Sequence, residues 1–146
     1  MSSASSNINW LKKKSITHIL VTGAMLPCNF PEDFSYKVIF CLDTPVQNLL
    51  VKFEDAHAFI DEGRASGGVL VHCRYGRSRS VSFVISYLMR TFKMPFSEAF
   101  NTVAKARPDI SLNYGFEEQL RLYETMKCRV DETHPSYILV MKNTMP

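Results

Sequence analysis

The chain has 146 residues, 46% of them apolar and 21% charged, with a formal net charge of +3. That length makes one domain able to bury a core without disulfides or metals. The small net charge excludes nucleic-acid binding driven by charge alone, and no apolar run nears the ~20 residues that a membrane span needs.

The N-terminal "MSSASSNINWLKKKS" lacks an apolar core of signal-peptide length, which implies an intracellular protein, cytoplasmic and also nuclear in expectation. Within it, "WLKKKS" predicts a short amphipathic helix around Trp10 and Leu11. "ITHILV", residues 16–21, collects β-branched and apolar side chains ahead of Thr22 and Gly23 and predicts a strand buried on both faces. Residues 24–35 carry Pro27 and Pro31 and read as loop; "YKVIFCL", 36–42, predicts a second strand that stops at Asp43-Thr44-Pro45. From Val46 to Gly63, Leu49, Phe53, Ala56 and Ile60 recur at helical spacing, with charged residues on the other faces. "GVLVHC" is the third strand, entering Cys73, and a glycine-containing loop leads into a helix over "SVSFVISYLMRTF". Helices follow over "MPFSEAFNTVAKARP" and "NYGFEEQLRLYETM". In residues 128–146, a C-terminal extension, "SYILVM" reads equally as an added strand or as an apolar tail packed on the domain. Strands alternating with helices predict an α/β three-layer sandwich, a mostly parallel sheet of four to five strands with helices on both faces.

Cys28, Cys41, Cys73 and Cys128 stand far apart, with neither a C-x-x-C pair nor zinc spacing, and three of them read as small buried hydrophobes. Cys73 differs. In an open α/β sheet, ligands bind beyond the carboxyl ends of the strands, where a loop opens onto a helix N-terminus. "HCRYGRSRS", residues 72–80, occupies that place. The N–H groups of residues 74–79 can curl around an anion, Gly76 lets the backbone turn, and the helix dipole adds positive potential. Arg79 offers a planar fork for two phosphate oxygens. A free thiol with pKa near ~8.5 falls to about 3.5–7.5 at a helix N-terminus beside cations, so Cys73 is expected to be a thiolate that attacks phosphorus. Ser80 is placed to steady the thiolate when it leaves again, with Ser78 the second choice. The leaving oxygen needs a proton, and Asp43, at the end of the second strand, is the candidate acid; ionised in the second step, it activates water. If its strand neighbours the "GVLVHC" strand, Asp43 and Cys73 emerge at one sheet edge. Taken singly, each of these residues has a plainer account as packing, turn or solvated charge. Together, nucleophile, spaced arginine, hydroxyl and acid in a strand-loop-helix context point to catalysis.

"HCRYGRSRS" fits the H-C-x5-R-S signature of the cysteine-based phosphatases, and its ending resembles the dual-specificity branch. "ITHIL", "YKVIFCLDTPVQNL", "GGVLVHC", "SYLM" and "NYGFEEQLRLYE" fall in that family's order, so the resemblance covers about residues 7–127. It implies a tyrosine phosphatase-like fold, a shallow site and a metal-independent protein phosphatase with no cofactor. Phosphotyrosine, phosphoserine and phosphothreonine proteins are the implied partners, with no nucleic acid. On matching positions it implies Cys73 as nucleophile, Arg79 as phosphate-binding arginine, Ser80 as loop hydroxyl and Asp43 as general acid. His72 resembles the histidine that orients and tunes the thiolate, and Asn113 a supporting residue. "GFEEQLRLYETM" with "VDETHPSY" resembles the subgroup that continues into a zinc-binding domain, whose cysteines are not among these residues. Departures from the family pattern are the expected loss of its short first strand, Tyr75 where alanine is usual, and Leu112 where proline is usual. Tyr75 reads as lining the pocket or packing beneath the loop. Arg74 and Arg77 exceed what the chemistry requires and read as solubilising side chains or as a preference for strongly acidic substrates. The rival readings are a phosphate-binding module with little turnover, a phosphoinositide or RNA 5′-phosphatase, and sulfur transfer or arsenate reduction on the same loop, with Cys41 as a resolving thiol.

Overall fold

Ile16–Thr22 forms the middle strand, β1, because its alternating side chains have cores to enter on both sides. The computed structural model describes residues 4–142; residues 1–3, the head of the serine-rich start, and 143–146, the end of the C-terminal extension, lie outside the described residues. Leu20 enters the larger core, with Phe53, Phe83 and Phe116, and Ile19 and Val21 enter the smaller one, with Leu11 and Phe34. Each such side chain taken fully out of water stabilises the fold by about 1.5–3 kcal/mol.

β2 (Ser35–Ile39) and β3 (Gly68–His72) flank β1, all parallel, in the order β2-β1-β3. Helices α2 (Phe53–Ser66), α3 (Arg79–Phe92), α4 (Phe96–Ala106), α5 (Tyr114–Thr125) and α6 (Pro135–Met141) supply the larger core. The short α1 (Ile8–Lys13), with the loop after β1, covers the other face. The α/β layering is as expected, but one helical layer is a two-turn helix and a loop.

The sheet has three strands rather than four to five. "SYILVM" joins helix α6: Pro135 in its first turn presets a helical φ, and the His134 ring accepts the Ser136 N–H at 3.1 Å as a cap. Among the described residues no strand precedes α1, where Ala4–Ser6 is a 3-10 turn. β2 ends at Ile39, whose carbonyl takes the N–H of Gly23 at 3.0 Å, because β1 has itself ended at Thr22; Phe40 to Leu42 run on without a ladder. The helix expected from Val46 begins only at Phe53, after a 3-10 turn at Leu50–Lys52, since the Gln47 and Asn48 side chains bond the local backbone in a non-helical path. No described helix is long and apolar enough to cross a membrane. Because the strands are parallel, the chain leaving β2 and the chain leaving β3 emerge at the same end of the sheet, although β1 lies between them.

Candidate active site

Between β3 and α3, residues 73–78 close on a single sulfur. Gly76 has φ +67°, the left-handed region that glycine tolerates, and a Cβ there would lie 2.7 Å from Nη1 of Arg107. The turn aims the Gly76 N–H at Cys73 Sγ, 3.2 Å away, and Ser80 Oγ stands 3.2 Å from the same sulfur. Cys73 is only 2% exposed. Burial pushes its thiol up; the Ser80 hydroxyl and N–H, the Gly76 N–H and the Arg79 charge outweigh that and hold it below the ordinary value. A buried sulfur ringed by donors at a helix N-terminus is stabilised as thiolate.

Arg79 anchors one end of its fork on the Cys41 carbonyl, Nη1 donating at 3.3 Å, while its buried Nε has no partner among the described residues. A Cβ on Gly23 would stand 3.1 Å from that Nη1 and 2.8 Å from Leu26 Cδ1, so the bare backbone past β1 makes room for the guanidinium. In the sequence, Gly23 reads only as a residue that ends a strand.

Asp43 lines a pocket of about 430 Å³ together with Cys73, Tyr75, Arg77 and Arg79. Asn113, the cap of α5, donates from Nδ2 to Asp43 Oδ1 at 2.9 Å and accepts the Phe116 N–H at 2.9 Å. The helix cap and the carboxylate therefore share one side chain. Ser78 does not reach the sulfur: its hydroxyl accepts the Asn113 N–H at 3.3 Å, and the neighbouring Arg77 carbonyl accepts the Ser111 N–H at 2.9 Å. Residues 111–113 thus tie the cysteine loop to Asp43, a link that no local sequence signal announces.

Tyr75 lines the pocket and is 63% exposed, so it does not pack beneath the loop. The Arg74 guanidinium lies 5.7 Å from its ring centre. Arg77 faces Asp109 at 3.8 Å with both side chains exposed, a pairing that water weakens. His72 is buried, and burial holds its ring below the ordinary pKa, against an opposing contact with the Cys73 backbone. Its carbonyl accepts Thr22 Oγ1 at 3.1 Å, which fixes the end of β3 to β1.

Residues 1–126 match the family model for the dual specificity phosphatase catalytic domain. The chain is 42% identical over 118 residues to MAP kinase phosphatase with leucine-rich repeats protein 2 of Dictyostelium discoideum, covering 81% of this chain and 17% of that protein. It is also 42% identical over 119 residues to Dual specificity protein phosphatase 1B of Arabidopsis thaliana, covering 81% of this chain and 71% of that one. Among solved structures, the human tyrosine phosphatase-like serine/threonine/tyrosine-interacting protein superposes with a TM-score of 0.81 at 36% identity, covering 87% of this chain and 89% of that chain.

Proposed function

The chain belongs to the dual specificity phosphatase catalytic-domain family, and from that premise we infer that it hydrolyses phosphotyrosine and phosphoserine or phosphothreonine in proteins through a phosphocysteine. The observation that carries this reading is the Cys73 sulfur, buried, lowered in pKa and held by Gly76 and Ser80 at 3.2 Å each. In the first step the Cys73 thiolate attacks phosphorus; an S–P bond forms as the P–O bond to the substrate breaks, and Asp43 gives the departing oxygen its proton. Arg79 and the loop N–H groups bind the phosphoryl oxygens, which carry the charge of the transition state. In the second step the ionised Asp43 takes a proton from water as its oxygen attacks phosphorus. The S–P bond breaks, inorganic phosphate departs, and the Ser80 hydroxyl donates to the returning thiolate. Asn113 holds the Asp43 carboxylate at the pocket throughout.

Purified protein is expected to hydrolyse 4-nitrophenyl phosphate and phosphopeptides, to continue in chelator, to stop with vanadate, and to yield a phosphocysteine after acid quench. Absence of turnover in the wild type, or its survival in Cys73→Ser, would refute the reading. Arg77 and the exposed Tyr75 ring, which line the pocket, and Arg74, 5.7 Å from that ring, support a finer reading, a preference for strongly acidic phosphosubstrates. Arg74→Ala with Arg77→Ala should then reverse the ranking of acidic over neutral phosphopeptides, and an unchanged ranking would remove that preference.

A further inference from the structure

Asp43 sits on a loop, residues 42–49, that lies outside the three-stranded sheet and carries an isolated β-bridge at Gln47, and much of its backbone is satisfied. The Gln47 N–H donates to the Thr44 carbonyl at 3.1 Å, and side-chain amides supply further partners. The Leu42 N–H donates to Gln47 Oε1 at 2.9 Å, and Gln47 Nε2 donates to the Asn48 carbonyl at 3.2 Å. Gln119, on α5, bonds the loop twice: its Oε1 accepts the Leu49 N–H at 2.7 Å and its Nε2 donates to the Gln47 carbonyl at 2.8 Å. Asn48 Nδ2 in turn donates to the Tyr137 hydroxyl of α6 at 3.3 Å.

These contacts follow the loop in order along α5. Asn113 takes Asp43, and at Gly115 a Cβ would lie within 2.5 Å of Pro45 Cα, so the helix and the loop touch through bare backbone. One turn further on, Gln119 takes Gln47 and Leu49. Gln119 is 1% exposed, and Gln47, Asn48 and Tyr137 are buried too, so water cannot replace the bonds.

We propose that Gln119 and Tyr137 are positioning residues for the general acid: α5 and the C-terminal α6 set the path of residues 42–49 and through it place Asp43 at the Cys73 pocket. This gives the segment after residue 127 a part in the chemistry, and it rests on the reading of Asp43 as the acid. A group that acts through the acid matters in proportion to how badly the leaving oxygen needs a proton. A merely structural loss does not discriminate between substrates.

The test compares wild type, Gln119→Met and Tyr137→Phe on aryl phosphates of graded leaving-group pKa, each also in an Asp43→Asn background. Gln119→Met should lower kcat/KM about tenfold on phenyl phosphate, a fraction of the ~10²–10⁴ that general acid catalysis supplies, with less than about twofold change on highly activated esters. Tyr137→Phe should do the same at about two- to threefold, and neither should matter once Asp43 is Asn. An equal loss across all leaving groups, or a loss that persists with Asp43→Asn, overturns the proposal. Amide hydrogen exchange gives an arm independent of turnover: Leu42 and Leu49 should exchange at least about tenfold faster in Gln119→Met, with Val71 in β3 unchanged. Unchanged protection at Leu42 and Leu49 also overturns it, whereas the function reading fails separately, by absence of turnover in the wild type.

Discussion

The cysteine loop, residues 73–78, and the acid loop, residues 42–49, meet at one pocket but hold their key groups by different means. The sulfur of the cysteine loop is held locally: Gly76 and Ser80, three and seven residues on, hold it, Ser80 from the first turn of α3, while the Ser111 and Asn113 N–H groups brace only the Arg77 carbonyl and the Ser78 hydroxyl. The acid loop borrows its shape from Asn113, Gln119 and Tyr137, about 70 to 90 residues away. A nucleophile that must be ionised needs donors at fixed distances, which a short loop supplies from its own backbone. An acid needs only a place, and a distant helix can set that.

The largest expected effect is on the side of the locally held sulfur. Cys73→Ser should reduce hydrolysis of 4-nitrophenyl phosphate by about 10⁴-fold or more, because an alcohol is not ionised by the same donors. Steady-state kinetics on folded mutant protein check this. Asp43→Asn should be selective instead: about 10²-fold slower on phenyl phosphate, with a much smaller loss on activated esters. If the Asn variant loses all substrates alike, the acid loop is acting on the nucleophile and the contrast between the loops collapses.

A third measurement probes the core that joins the two. His57 of α2, 1% exposed, meets Ser86 of α3 at 2.8 Å and packs against Tyr123 of α5, so it lies between the helices that carry the loops. Burial lowers its pKa from 6.5 to about 3. Between those values the unfolded chain holds a proton that the folded chain refuses, so stability is full above about pH 6.5 and is lost as pH falls toward 3. At about 1.4 kcal/mol per pH unit, going from pH 7 to pH 5 should cost about 2 kcal/mol. Urea unfolding should show that loss in wild type and a flatter profile in His57→Gln. Both loops should lose protection together, and separate loss would mean that they rest on different frames.

Smallest is Gly76→Ala. A side chain at φ +67° beside Arg107 strains the loop by about 1 kcal/mol, enough to weaken vanadate inhibition several-fold while the leaving-group dependence set by Asp43 stays as it was.

How much could be read in advance follows the same division. Apolar runs located β1 and β3, helical spacing located α3, α4 and α5, and the C-x5-R spacing located Cys73, Arg79 and Ser80, since these are regularities over a few consecutive residues. Boundaries failed where distant groups intervened. The helix expected from Val46 starts at Phe53 because buried amides hold residues 47–49 elsewhere, and "SYILVM" became helix because Pro135 and the surface beside α5 favour it. The number of strands is likewise a matter of which segments find a neighbour.

What the amino-acid order determined by itself is therefore the nucleophile's environment and the α/β layering, because backbone N–H groups and side-chain periodicity act over one turn. What only the tertiary structure decided is where Asp43 stands, that the Ser78 hydroxyl is turned onto the Asn113 N–H, and that α6 is tied to the acid loop. Those depend on hydrogen bonds between residues 35 to 89 positions apart, whose partners exist only after the chain has packed.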